Sequence, residues 1–120
     1  MTQAFISNLA REGEKRPFKA HGHAVVGSAG AATFMKGTFE PGWRWSRDVK
    51  PIAGTDSCQT RHLGYTISGR MHVVMDTGEE MDVAPGDAVN IPPGHDAWVV
   101  GEQSYVGVDV TGGETYAQAS

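Results

Sequence analysis

The chain has 120 residues, enough for one hydrophobic core but not for two, so we predict a single domain. Its 10 lysines and arginines against 14 aspartates and glutamates give a net charge of -4, which argues against nucleic acid or an anionic membrane as the partner. Cys58 is the only cysteine, and we find neither an apolar leader nor a stretch long enough to cross a bilayer. We therefore expect a cytoplasmic protein without an intramolecular disulfide.

Short apolar segments and frequent turns characterise the whole chain. It contains 16 glycines and 6 prolines, and the segments between them are rich in Val, Ile, Thr and Tyr. This pattern is typical of an all-β sandwich or barrel. We expect an N-terminal arm or short helix over residues 1–20, a barrel over 21–112 and a flexible tail over 113–120.

The first half of the barrel contains two predicted strands and an unusual connection. The strands lie at 21–26 and 32–39, and Pro41-Gly42 ends the second. Next, Trp43 and Trp45 flank Arg44, and on a strand the two indoles would share one face. One interpretation is that they plug one end of the core. The other is that they wall a binding cavity in which Arg44 or Arg47 contacts an anionic group.

Residues 57–75 are predicted to form two strands around a turn at 68–70. Met71 and Val73 alternate with Arg70 and His72, so we expect the apolar pair to face inward. A hairpin turn at 76–79, a short strand at 81–83 and a last strand at 105–110 follow.

Residues 86–98 combine two turns with a cluster of polar side chains. Gly86 begins a tight turn, a short β-type run follows, and Pro92-Pro93-Gly94 forms a second turn immediately before His95. Loop residues held by a rigid scaffold often carry binding chemistry. Asp96 would point to the opposite side from His95, so we expect it to orient a neighbouring loop.

Two glycine-containing motifs resemble those of the cupin family. Gly69 matches the glycine that closes the first cupin motif, and Gly86, Pro92 and Gly94 match the second. The similarity covers roughly residues 35 to 110. It implies an all-β, cupin-like double-stranded β-helix (a jelly-roll barrel). It also implies a homodimer, since small barrels of this family commonly pair through their sheets and exposed edge strands need cover.

The departures from the cupin motifs fall on the usual ligand positions, which here hold Asp56, Cys58, His62 and Ala97. The first three can bind metals, and their even spacing would place them on one face of a strand. His95 precedes Ala97 by two residues and would point to the same side. We predict that His62 and His95 meet in one cavity from adjacent strands. Cys58 or Asp56 would complete a site for a divalent transition metal such as Zn, Fe, Ni or Mn.

Two functions follow from these observations. The resemblance implies a metal-dependent enzyme of the oxygenase, isomerase or cyclase type that acts on a small organic molecule. The alternative is a metal-free module that binds or senses a small molecule. Cys58 could be a buried hydrophobe, a ligand or a nucleophile, and no catalytic residue is assigned. The predicted substrate-binding residues are Trp43, Arg44, Trp45, Met71, Val73 and Trp98.

Overall fold

A computed structural model describes residues 3–111 and 116–118, which form two antiparallel sheets. The six-stranded sheet has the order β1 (Glu14–Pro17), β2 (Gly22–Ala29), β3 (Ala32–Phe39), β9 (Tyr105–Thr111), β4 (His62–Ser68) and β7 (Ala88–Ile91). The three-stranded sheet has the order β6 (Glu80–Val83), β5 (Arg70–Met75) and β8 (His95–Val100). The all-β prediction is confirmed.

The helices are short and lie outside the sheets. They are α1 (Leu9–Glu12), α2 (Trp45–Asp48) and α3 (Lys50–Ala53). α3 has a proline in its first turn and ends at Gly54, whose φ of 77° suits a glycine cap. Trp43 and Trp45 therefore do not lie on one strand, the condition under which they would share a face, because Trp45 begins a helix. Both indoles are nevertheless buried.

The core lies between the sheets and is closed at one end by aromatic rings. On β5, Met71, Val73 and Met75 are buried while the residues between them are less so, which confirms the predicted alternation. Phe39 contacts Phe18 and Trp43, with ring centroids 5.2 and 4.6 Å apart. These contacts fix the chain that enters α2 against the sheet.

The ends of the chain contribute to this core. Residues 14–17 of the predicted arm form β1 at the sheet edge. Residues 112–115, 119 and 120 of the barrel end and predicted tail lie outside the described residues, but Tyr116 is only 3% exposed. Its carbonyl accepts a hydrogen bond of 3.0 Å from Arg16 Nη1. The division into arm, barrel and tail stays a prediction.

The outer face of β4 carries exposed apolar side chains. Leu63, Tyr65 and Ile67 are 41%, 53% and 50% exposed. A large exposed apolar patch commonly marks an interaction site, but the homodimer stays a prediction. Among the described residues, no helix is long and apolar enough to span a membrane.

Asp48 fixes the segment that carries the two buried tryptophans. Its carboxylate is buried, and Oδ2 accepts hydrogen bonds from the Arg44 backbone N–H (3.1 Å), from His21 Nδ1 (3.2 Å) and from Arg47 Nη2 (3.2 Å). Burial alone would raise the pKa of Asp48. The bonds from Arg47 and Arg44 outweigh that effect and hold the pKa below its usual value.

We expect Asp48→Asn to cost about 1–3 kcal/mol of unfolding free energy at pH 7, because buried donors lose a charged acceptor. A lowered folded-state pKa gives stability that is present above the unfolded pKa, about 3.9, and is lost as pH falls through the folded value. The wild type should therefore lose more stability than the variant between pH 5 and pH 2. Urea unfolding across this range checks it, with the fully exposed Asp56→Asn as control. Equal pH slopes for wild type and variant would contradict the role of Asp48.

Candidate metal centre

His62 begins β4 and is held by a carboxylate from the neighbouring strand. Its Nδ1 lies 2.7 Å from Oδ2 of Asp109 on β9. A carboxylate oxygen can only accept a hydrogen bond, so Nδ1 carries the proton that is donated to Asp109. In the neutral imidazole, the lone pair of Nε2 is then available, and this nitrogen lies 3.8 Å from Cys58 Sγ.

His95 is held in the same way by a backbone carbonyl. It is 3% exposed at the start of β8, and its Nδ1 lies 3.0 Å from the Pro92 carbonyl oxygen. The carbonyl only accepts, so Nδ1 is again the donor and Nε2 is the nitrogen with an available lone pair. Gly94 makes this turn with a φ of 94°, which favours glycine.

Cys58 lies outside the regular strands but is fixed to His95 through the backbone. Its N–H donates to the His95 carbonyl (2.7 Å), and the Gly94 N–H donates to the Cys58 carbonyl (2.7 Å). The thiol is 2% exposed. The even spacing predicted that Cys58 lies on the same strand as His62. In the structure, Cys58 instead reaches the site through its backbone hydrogen bonds to Gly94 and His95.

Cys58, His62 and His95 form one cluster that could hold a metal ion. Their ligand atoms all lie within 4.8 Å of one another, and the two imidazole centroids are 5.2 Å apart. In a tetrahedral zinc site, sulfur and nitrogen ligands are about 3.6 Å apart, close to the observed 3.8 Å between Cys58 and His62. The histidines reach the cavity from opposing sheets, so the prediction of adjacent strands is wrong.

Hydrogen bonding within the cluster stabilises a thiolate beside an imidazolium. Burial alone would raise the pKa of Cys58, but the bonds from His62 and His95 lower it to about 6. Burial would likewise lower the pKa of His62, but the bonds to Asp109 and Cys58 raise it to about 9. The two pKa shifts share a cause, because a thiolate and an imidazolium in contact stabilise each other.

Three predicted site residues lie away from the cluster. Asp56 is fully exposed and lies 4.0 Å from Lys50, so it does not join the metal ligands. Arg44 stacks over the ring of Trp98, 4.1 Å from its centroid, and both lie away from the cavity. Strand alternation does not extend through residues 43–61, and on β8 Trp98 alternates with the buried His95 and Ala97 and so faces outward. Asp96 does orient the neighbouring loop as predicted, because its Oδ1 accepts from the Ser46 N–H at 3.0 Å.

A small cavity lies against the two histidines. Its volume is about 50 Å³, room for roughly three to five water molecules. Four of the predicted substrate-binding residues line it, and Trp43 Nε1 is buried with no hydrogen-bond partner among the described residues. Its walls include Met35, Phe39, Trp43, Trp45, Met71, Val73, Ala97, Tyr105 and Tyr116.

Asp109 and Tyr116 are site residues that the sequence analysis missed. Asp109 lies on the same inward face of β9 as Tyr105 and Gly107, because alternate residues of a strand share a face. A charged residue on the inner face of an apolar strand could have indicated a site residue. Tyr116 lies in a polar segment, and no sequence pattern indicated its burial. Its ring centroid is 5.3 Å from that of His62. Burial and the nearby Cys58 and Asp109 raise the pKa of Tyr116 well above 10.

Comparison with solved structures identifies the fold. A protein of unknown function from Rhizobium leguminosarum bv. viciae matches with a TM-score of 0.61 and 20% identity, over 92% of this chain and 97% of that one. A point mutant of oxalate decarboxylase from Bacillus subtilis matches with a TM-score of 0.60 and 20% identity, over 92% of this chain but 30% of the decarboxylase. The fold is a cupin barrel. No family model and no curated protein matches the sequence.

A third structure, a protein of unknown function from Vibrio parahaemolyticus, matches this cupin barrel with a TM-score of 0.57. Its identity is 10%, over 81% of this chain and 95% of that one. Gly69, the glycine that closes the first cupin motif, shows why its position matters: φ is 78°, and a Cβ there would overlap the Ser104 carbonyl oxygen. The chain thus has the cupin fold, while the residues at the usual cupin ligand positions differ from the family's motif.

Proposed function

We propose that this cupin is a metalloprotein in which Cys58, His62 and His95 hold a divalent transition metal that acts on a small organic molecule. One observation carries the proposal. Both imidazoles use Nδ1–H to bond an oxygen acceptor, which leaves both Nε2 lone pairs for the space beside the Cys58 thiolate. Anchoring of the second ring nitrogen is the usual arrangement around metal-bound histidines.

The donor set favours zinc or iron among the predicted metals. A thiolate with two imidazoles is a softer set than the carboxylate and water ligands that suit manganese. The Bacillus oxalate decarboxylase, to which the fold is similar, has Mn(II) centres. We therefore propose that this chain differs from that enzyme in its metal, with Zn²⁺ or Fe²⁺ in place of Mn²⁺.

Three protein ligands leave an open position, as in catalytic sites. When bound there, the metal supplies a Lewis acid that can polarise a ligand oxygen or lower the pKa of a bound water. Asp109 orients His62 and increases its basicity. The apolar walls exclude bulk water, and the Trp43 indole N–H is available to donate to an acceptor.

Metal analysis of protein purified without chelator or nickel resin tests the proposal. We expect about one zinc or iron per chain and little manganese. Cobalt substitution should give a thiolate-to-cobalt charge-transfer band in the wild type, which disappears in Cys58→Ser. Manganese as the bound metal, or a cobalt spectrum that Cys58→Ser does not alter, would refute this ligand set.

A second candidate function is supported by the Cys58–His62–Asp109 alignment. Without a metal, the Cys58 thiol, the His62 imidazole and the Asp109 carboxylate are arranged as nucleophile, general base and orienting group, which is the pattern of an activated cysteine. This favours the metal-free alternative, in which the cavity binds a small molecule beside a reactive thiol. Rapid alkylation of Cys58 in protein as purified would favour it, whereas alkylation only after metal removal favours the metal centre.

A further inference from the structure

A second and larger cavity borders the cluster from the side of Cys58. Its volume is about 190 Å³, room for roughly a dozen water molecules, and Cys58 belongs to its wall. Trp45 and Tyr116 line both this cavity and the smaller one beside the histidines. The metal cluster therefore lies at the boundary between a small apolar space and a larger one.

The lining of the second cavity combines apolar walls with neutral polar groups. Trp45, Val49 and Tyr116 form apolar surfaces. The hydroxyls of Thr55 and Thr60 can donate and accept hydrogen bonds, and amide side chains add both functions again. The described residues that line it are Trp45, Val49, Ala53, Thr55, Cys58, Gln59, Thr60, Tyr116, Ala117 and Gln118.

The cations of the chain lie elsewhere. All 10 lysines and arginines are among the described residues, and none of them lines either cavity. The four that are nearest along the chain to the lining residues have other contacts. Arg44 stacks on Trp98, and Arg47 bonds Asp48. Lys50 is 4.0 Å from Asp56, and Arg61 donates to the Asn90 side-chain oxygen at 3.1 and 3.2 Å. No guanidinium or ammonium is therefore placed to receive a carboxylate inside the barrel.

A metal ion bound by the cluster would add no net positive charge, because the protein supplies two anions beside it. A divalent ion would be neutralised by one thiolate from Cys58 and by the Asp109 carboxylate that holds His62. In the second cavity, away from the open metal position, an anion would lose its hydration with no cationic side chain beside it, which is costly. An uncharged molecule with hydrogen-bonding groups pays no such penalty.

We propose that the second cavity is the ligand-binding site and that it takes a small uncharged molecule with an apolar body and an amide or hydroxyl group. Carboxylates are excluded by the charge arrangement. The inference rests on and deepens the proposed function, because Cys58, one of the three proposed metal ligands, lines this cavity. It specifies a substrate class different from the dianion named in oxalate decarboxylase.

Matched pairs of probes test the charge preference on the protein as purified. We would titrate propionamide against propionate and benzamide against benzoate, and follow the backbone amide resonances by NMR. The amide of each pair should bind at least about tenfold more tightly, and its shifts should include Thr55, Gln59 and Thr60. Equal or tighter binding by the carboxylates, or no binding by either amide, overturns the proposal.

Three variants locate the site without touching the metal ligands. Thr60→Phe should fill the cavity and abolish amide binding, while Thr60→Ser should retain it. Gln59 is exposed at the cavity wall, so Gln59→Lys should be tolerated and should shift the preference towards the carboxylates. Unchanged amide binding in Thr60→Phe, or an unchanged preference in folded Gln59→Lys, places the site elsewhere and overturns the proposal.

Metal content is measured on the same samples, so the two proposals fail separately. Metal-free protein that still prefers the amides would refute the metal centre and leave the cavity assignment supported. Fully metal-loaded protein that prefers the carboxylates would refute the cavity assignment and leave the metal centre supported.

Discussion

The double variant His62→Ala, His95→Ala is expected to lose stoichiometric metal binding completely. Cys58 would remain as a single ligand, and one buried thiolate cannot hold a divalent ion against hydration. With metal at 100 times its dissociation constant, the wild type should gain about 2.7 kcal/mol of unfolding free energy, and the variant should gain none. Metal analysis and unfolding with and without added zinc measure both effects.

His72→Ala provides the matched control for this experiment. His72 lies on the outer face of β5, where Asp82 and Glu80 bond its two ring nitrogens at 2.6 and 2.7 Å. It is therefore a histidine with carboxylate partners that does not reach the cluster. Its variant should bind metal like the wild type. Loss of metal in His72→Ala equal to that in the double variant would place the site outside the barrel.

The meeting of His62 and His95 in one cavity was predictable, because the spacing of the cupin motifs indicates which way the nearby side chains point. Gly69 and Gly94 mark turns that only a few conformations satisfy, and strand parity then determines which way nearby side chains point. This reasoning placed His62 and His95 in one cavity although neither occupies a usual ligand position. It did not require knowledge of which sheet carries each strand.

The errors arose where the chain leaves the strands. Asp56 was placed by the even spacing of residues 56, 58 and 62, but β4 begins only at His62 and the chain bends at residues 55–57. Arg44 was placed as a neighbour of the two tryptophans, and α2 begins at the second of them. Side-chain direction there depends on helix period and on long-range anchors such as Asp48, which spacing does not reveal. Tyr116 was missed for a related reason, because its burial comes from contacts with distant aromatic residues and not from its own polar segment.

Asp109→Asn is expected to weaken metal binding by an amount that depends on pH. In the wild type, His62 has a pKa of about 9, so a metal ion that binds between pH 7 and 9 must displace one proton from it. Wild-type affinity should then rise about tenfold per pH unit over this range. The carboxylate also makes His62 a better ligand once it is deprotonated, an effect worth about 10–100-fold for such partners.

In Asp109→Asn, both effects of the carboxylate are removed together, and they act in opposite directions. The pKa of His62 falls, so less proton displacement opposes binding at neutral pH, while the intrinsic affinity of the deprotonated site is lower. The ratio of wild-type to variant affinity should therefore be small near pH 7 and reach about 10–100 at pH 9 and above. Competition with a metal-buffering chelator at each pH measures this ratio.

Asp96→Asn is the control for that measurement, since Asp96 bonds the Ser46 N–H at 3.0 Å on the opposite side of β8 from His95. Its metal affinity should follow the wild type at every pH. A ratio for Asp109→Asn that stays constant from pH 7 to pH 9 would mean that His62 is not the group that loses a proton when metal binds. The Nδ1–Asp109 contact would then have only a structural role, and His62 would already be neutral when it binds the metal.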